Sequence, residues 1–317
     1  MLDVIIHEKT DEAEGIVSLV FQAQNGTQLP AYSAGSHLDV HLPNGTVRQY
    51  SLFKPLSKET ANTYQIGVLL SPTSRGGSRC IHEQLQVGDS LRISEPRNLF
   101  PLTHEAQHSV FFAGGIGITP IMCMAERLAE MGSTLELHYC SRSFNSAAFI
   151  PRLTKTLPKG SLNVYFDDKP ANPFKVREIL QSLPPQTHLY VCGPSGFMEH
   201  VLSNAKALSW PDNLLHREYF NGTQDTQKDG AFELKIASTG QLISVPAGKT
   251  AAQSLIEAGV NVPLSCEQGV CGTCLVRVLE GEPDHQDMFL SEAERARNDQ
   301  FTPCCSRAKT STLVLDL

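Results

Sequence analysis

The sequence predicts three domains in a row: an antiparallel β-barrel, a doubly wound α/β unit and a small β-grasp unit. Three observations predict this. Residues 1–101 break into short strands punctuated by turn residues. A continuous apolar run near residue 110 then meets a glycine-rich loop and a helix. Towards the C-terminal end, Cys266, Cys271 and Cys274 stand at C-x4-C-x2-C spacing, with Cys304 further on.

Bulk properties narrow the class. The chain has 317 residues, 41% hydrophobic and 19% charged, which suits a globular protein with more than one core. A formal net charge of −7 argues against a nucleic-acid partner. The nine cysteines are an odd count, and Met1–Glu8 carries acid where a signal peptide carries base. A reducing, cytoplasmic setting is therefore expected, without a disulfide framework. No apolar run approaches the length of a membrane span.

In the barrel, residues 15–21, 37–42, 47–52, 64–70 and 90–93 read as strands, with Pro43-Asn44-Gly45 turning a hairpin. Residues 80–85 read as a short helix. Arg48, Tyr50 and Ser51 share one strand, with Arg48 and Tyr50 on the same face. An arginine fork takes a phosphate bidentately, and a tyrosine ring lies along a flat heterocycle. Arg75-Gly76-Gly77-Ser78 leads into the helix, where exposed backbone N–H groups favour an anion. Taken singly, a surface arginine, a core tyrosine and a plain glycine turn account for these residues equally well.

Residues 102–221 form the α/β unit. Ser109–Ala113 is the buried parallel strand, followed by the loop Gly114-Gly115-Ile116-Gly117-Ile118-Thr119. Thr119 is expected to cap a helix that has Pro120 at its first position. The loop reads G-x-G-x-x-P, so it lacks the third glycine of the full dinucleotide fingerprint. Residues 135–140, 162–166 and 188–192 continue the sheet, and ligand is expected at the strands' carboxyl ends. Ser141 and Arg142 at the end of one strand suit a 2′-phosphate, whereas Asp167 and Asp168 at the next would repel it if close, so these residues by themselves leave NADH and NADPH open. Cys192-Gly193-Pro194 ends the last named strand; a small buried residue is the bland reading of Cys192. His216–Phe220 closes the unit.

Residues 222–230 are polar and read as a linker. Residues 231–317 form the β-grasp unit, with a hairpin over 232–245 and a helix over 250–258 that stops at Gly259. The cysteine spacing is that of a plant-type [2Fe–2S] cluster held by four thiolates. Structural zinc sites pair C-x2-C with a second such pair or with histidine, and neither occurs here. Cys304 and Cys305 compete as fourth ligand; Cys304 follows Cys274 after 29 residues, the plant-type interval, and is preferred. His285 is the sole histidine of this unit, and a Rieske centre needs two. The unit has 11 acidic and 7 basic residues, a balance that suits a basic partner.

Arg48-x-Tyr50-Ser51-Leu52 and Arg75-Gly76-Gly77-Ser78, placed ahead of the glycine loop and the cysteine motif, resemble the phthalate dioxygenase reductase family, including vanillate demethylase-type reductases. The resemblance covers the whole chain. It implies an FMN-holding barrel, an NADH domain and a plant-type ferredoxin domain. Arg48, Ser78 and the Gly76–Gly77 backbone would hold the FMN phosphate, with Arg75 beside them, and Tyr50 and Ser51 would meet the flavin ring. Gly114, Gly115, Gly117 and Thr119 would lie near the nicotinamide and pyrophosphate, Cys192, Gly193 and Pro194 beside the nicotinamide, and Phe220 over the flavin. Some relatives carry a lysine near Leu69 and Leu70, so Arg48 would bear a larger share of the phosphate here.

The resemblance further implies electron flow from NADH to FMN to the cluster to a Rieske non-haem iron oxygenase, in a chain expected to be monomeric. Ser51, Cys192 and Phe220 are the expected catalytic residues. The rival expectations are a reductase for a haem monooxygenase or other acceptor, and a ferredoxin-like carrier without a working flavin site.

Overall fold

Strand β1 (Leu2–Ala13) opens the chain and lies outside the strands expected from sequence. Val4 and Ile6 are buried in alternation, but bulges between Ile6 and Glu8 and between Asp11 and Ala13 then break the two-residue period. Beyond the first bulge the strand is held by main-chain pairing to β2 (Ile16–Ala23), so its side chains carry little apolar signal. β3 (Ser36–His41), β4 (Val47–Ser51), β5 (Thr63–Leu69), β6 (Ser90–Ile93) and β7 (Arg97–Asn98) complete the sheet, in the order β4-β3-β6-β1-β2-β5 with β7 beside β3. The outer strands meet at a Leu52–Ile66 bridge and at Phe53 N donating to Gln65 O (3.1 Å). The sheet thus curls round a core that includes Leu19, Phe21, Leu38, Ile66 and Ile81. The short helix expected over 80–85 is α1 (Gly77–Glu83), three residues earlier.

This computed structural model describes residues 1–57, 62–72, 76–169, 173–220 and 230–317. They divide into two compact units, Met1–Glu218 and Tyr219–Leu317.

The rest of the first unit is a parallel sheet of β8 (His108–Gly114), β9 (Thr134–Ser141), β10 (Leu162–Phe166), β11 (His188–Cys192) and β12 (Leu215–Glu218), ordered β10-β9-β8-β11-β12. Val110–Ala113 are wholly buried, as a strand covered on both faces must be. The order reverses between β8 and β11, which places the crevice for a ligand at their carboxyl ends. Helices α2 (Ile118–Glu130), α3 (Ile150–Thr156), α4 (Val176–Ser182) and α5 (Ser195–Ala207) alternate with the strands.

Thr119 is not the cap expected from sequence. Gly115–Gly117 form a turn of 3-10 helix that runs directly into α2, so the cap position falls on Gly117. The Thr119 hydroxyl instead donates back to Ile116 O (3.0 Å). On α3, Arg152 donates bidentately to buried Glu126 of α2 (2.7 and 2.6 Å) and lies over the Phe53 ring of the barrel (5.5 Å to centroid). This pair ties barrel and parallel sheet into one unit.

In the second unit, β13 (Phe232–Ile236) and β14 (Leu242–Val245) form the expected hairpin. α6 (Ala251–Glu257) starts at Thr250 with a reciprocal capping box to Gln253. β15 (Val276–Glu280), β16 (Pro283–Asp284), α7 (Glu292–Arg295), β17 (Gln300–Phe301), β18 (Arg307–Ala308) and β19 (Thr312–Leu315) follow. β19 lies parallel beside β13 in a sheet ordered β14-β13-β19-β15-β17, with α6 against its core, the β-grasp pattern.

Candidate functional site

The barrel brings two of the sequence-matched segments together. Arg48 lies across the start of α1: a Cβ on Gly77 would stand 2.6 Å from Arg48 Cγ. Gly76 holds φ +94, a conformation that favours glycine, and its carbonyl accepts from Asn44 Nδ2 (3.2 Å). Ser78 Oγ accepts from Ser71 N (3.2 Å). Tyr50 packs partly into the barrel core, where burial pushes its phenol up in pKa while the Arg48 guanidinium pulls it down. Arg75 falls outside the described residues. An arginine side chain laid against Gly77, with an aromatic ring two residues on, fits a phosphate joined to a flat heterocycle.

Ser51 leads to a residue the sequence did not single out. Its hydroxyl donates to Glu218 Oε2 (3.2 Å), the last residue of β12. Glu218 is the in-register neighbour of Cys192 at the end of β11. Loss of solvent pushes the Glu218 carboxyl up to about 8, against the opposing Ser51 hydrogen bond. The Cys192 thiol is raised well above its ordinary value, by burial first and Glu218 second, so it is a neutral thiol at neutral pH. Ser51, Cys192 and Glu218 thus converge where β11 and β12 end. Only the parallel pairing of the two strands, not any local motif, reveals Glu218.

Around them the glycines let backbones touch. A Cβ on Gly117 would collide with the carbonyl of Cys192, and one on Gly193 would stand 2.9 Å from Gly114 Cα. Phe197 and Pro194 close over Gly114, at 2.9 and 3.0 Å from its would-be Cβ. The loops after β8 and β11 therefore form one cradle. Thr119 is buried beside it, its methyl 2.8 Å from the would-be Cβ of Gly67 in the barrel.

Ser141 and Arg142 lie further along the sheet, after β9. Ser141 is buried and bonded to Ser146 Oγ (3.0 Å), while Arg142 is exposed and its carbonyl accepts from Asp168 N (3.2 Å). Asp167 and Asp168 are exposed on the same edge. Phe220, half-buried, belongs to the second unit.

The second unit gathers buried cysteines. Cys266 is in hydrogen-bonding reach of Cys271 and Cys304, and Cys274 of Cys304. The loop is shaped for this: Glu267, Gly269 and Gly272 all have left-handed φ (54, 73 and 68). Its amides point at sulfur, with Gln268 N donating to Cys266 Sγ (3.4 Å) and Thr273 N to Cys271 Sγ (3.5 Å). Cys305 contacts Cys304, Thr302 and Ser306, and its sulfur fills the space a Cβ on Gly269 would need. Four converging thiols ringed by amide donors fit a cluster held by thiolates.

Residues 234–309 match the model of the 2Fe-2S iron-sulfur cluster binding domain. Over its full length the chain is 52% identical to the vanillate O-demethylase oxidoreductase of Pseudomonas sp. (strain HR199 / DSM 7063), covering 100% of both. Among solved structures it resembles phthalate dioxygenase reductase, described as a modular structure for electron transfer from pyridine nucleotides to [2Fe-2S], with 34% identity and a TM-score of 0.80, covering 100% of this chain and 98% of that one. It also resembles an intact type IV self-sufficient cytochrome P450 monooxygenase, with 36% identity and a TM-score of 0.82 over 100% of this chain and 41% of that one.

Proposed function

As a member of the vanillate O-demethylase oxidoreductase family, the chain is an NADH-dependent flavin and iron–sulfur oxidoreductase, and we propose that it hands its electrons to a Rieske-type oxygenase component. It carries electrons from NADH through FMN to a [2Fe–2S] cluster and on to an oxygenase. FMN supplies the link between a two-electron donor and a one-electron cluster.

The residues take these parts in the proposal. Arg48, Arg75, Ser78 and the Gly76–Gly77 backbone hold the FMN phosphate, and Tyr50 lines the ring. Cys192, Gly193 and Pro194 seat the nicotinamide. Gly114, Gly115, Gly117 and Thr119 receive the pyrophosphate; Ser141 and Arg142 face the adenosine half. Below pH 8 Glu218 Oε keeps a proton beside Ser51, so no fixed negative charge stands where electrons arrive. The neutral Cys192 thiol packs without adding one. Cys266, Cys271, Cys274 and Cys304 ligate the cluster. The domains run 1–101, 102–221 and 231–317, with 222–230 as linker, in a cytoplasmic monomer. Among the described residues no helix is long and apolar enough to cross a membrane.

The observation that carries the reading is the presence in one chain of a phosphate-and-ring cradle at Arg48–Gly77, a half-buried acid–hydroxyl pair at the nicotinamide crevice, and a four-thiol site. The names of the relatives, a demethylase reductase and a dioxygenase reductase, support the Rieske partner. The likeness to a cytochrome P450 monooxygenase favours a haem acceptor as the second reading. Stopped-flow mixing of the NADH-reduced protein with a purified Rieske oxygenase and with a P450 haem domain separates them. Fast oxidation by the first alone supports the proposal, and fast oxidation by the second alone overturns it.

A further inference from the structure

Beside the cysteine site lies a row of polar side chains almost wholly out of water: Asp287, Ser306 and Thr302. Polar groups this deep are costly unless each is bonded. A fully bonded row, in return, specifies one arrangement of the chain around it.

Every member of the row is bonded. Asp287 Oδ2 accepts from Phe289 N (3.1 Å) and Leu290 N (2.7 Å), and Oδ1 accepts from Ser306 Oγ (3.4 Å). A hydroxyl has one proton, and Ser306 gives its own to Asp287. Ser306 therefore accepts from Gln286 N (3.2 Å) and from Thr302 Oγ1 (2.7 Å). Arg295 Nη2 donates to Asp287 O and stands 3.8 Å from Oδ2. His285, its side chain buried, stands at the other oxygen, with Nδ1 3.6 Å from Oδ1.

The row lies between the two segments that carry the cysteines. On one side Met288 N donates to Gly269 O (2.8 Å), and Asp287 Cα stands 3.0 Å from the would-be Cβ of Gly269, which lies between Cys266 and Cys271. On the other side Ser306 belongs to the turn that holds Cys304, where Cys305 N and Ser306 N both donate to Thr302 O (3.2 and 3.0 Å). An acid that served only its own turn would need the amides of Phe289 and Leu290 and nothing more. The bond to Ser306 reaches 19 positions along the chain and joins the two segments.

The geometry points to the Asp287–Ser306 bond as a clasp that holds the Cys304 turn against the Cys266–Cys274 loop. Asp287 is a positioning residue that acts on Cys304 through Ser306. This rests on Cys304 as the fourth ligand and deepens that reading.

The test compares full-length protein, with FMN and cluster bound, as wild type, Asp287→Ala, Asp287→Asn and Ser306→Ala. Iron loss to a ferrous chelator is timed by absorbance, and the reduced cluster is recorded by electron paramagnetic resonance. Asp287→Ala and Ser306→Ala are each expected to lose iron at least about fivefold faster, the worth of one hydrogen bond, and to shift the resonance positions. Flavin content stays unchanged. Asparagine offers an oxygen to both amides and a bond to Ser306 through Nδ2, so Asp287→Asn restores wild-type iron loss and resonance. Wild-type behaviour in Ser306→Ala overturns the clasp, whether or not Asp287→Ala folds, since Asp287 then serves only its own turn. So does an Asp287→Asn variant as labile as Asp287→Ala. A cluster that survives Cys304→Ser in the otherwise wild-type protein overturns the ligand reading, and the clasp with it.

Discussion

Replacing Glu218 by Gln is expected to remove a pH dependence from flavin reduction. In the folded protein the carboxyl sits near 8 rather than its ordinary 4.5, because burial disfavours the charged form. At that value it is about 1% ionised at pH 6 and about 90% at pH 9. The neutral acid has a proton to donate as well as an oxygen to accept from Ser51; the carboxylate only accepts. Raising the pH therefore removes one donor and introduces one charge at a half-buried position. A hydrogen bond is worth about 1 kcal/mol, so the rate should fall at least about fivefold across the transition. Glutamine donates at every pH and does not titrate, so Glu218→Gln should hold the low-pH rate throughout. Stability has a matching sign. A carboxyl raised on folding binds its proton more tightly in the native state, so the wild type loses stability as pH rises from about 4.5 to about 8 and levels off above. The variant lacks that slope. Stopped-flow reduction by NADH from pH 6 to 10, with thermal melts over pH 4 to 9, measures both. A wild-type rate that is flat through pH 8, or an inflection that persists in Glu218→Gln, refutes the reasoning.

Arg48→Ala removes the guanidinium lying over Gly77; with charged hydrogen bonds worth roughly 1.5–3 kcal/mol, FMN should bind about 10- to 100-fold more weakly, measured by fluorescence of released flavin. Gly269→Ala places a methyl on the Cys305 sulfur at a φ of +73. The backbone strain alone is about 1–2 kcal/mol. A lower melting temperature of the cluster domain and reduced iron content should follow, while flavin content stays unchanged.

The cysteine motif was legible because ligand spacing is local: three sulfurs and the left-handed turns between them sit within nine residues, Cys266–Cys274. The glycine loop was legible for the same reason, flanked by an apolar run and a helix. Local signals also misled. Thr119-Pro120 has the form of a helix start, yet the 3-10 turn before it moves the helix start to Ile118. β1 hid because two bulges erase its alternation. Glu218 hid because its meaning arises from a parallel neighbour 26 positions earlier, Cys192, and from Ser51 on a different domain.

The most direct test is an anaerobic NADH titration, followed optically, of wild type and the Cys304→Ser and Cys305→Ser variants side by side. Wild-type and Cys305→Ser protein should contain FMN and iron, with NADH bleaching both the flavin and cluster bands. Cys304→Ser should lose the cluster bands and keep the flavin response. A wild-type protein without flavin contradicts the account, as does a cluster that survives Cys304→Ser or is lost in Cys305→Ser.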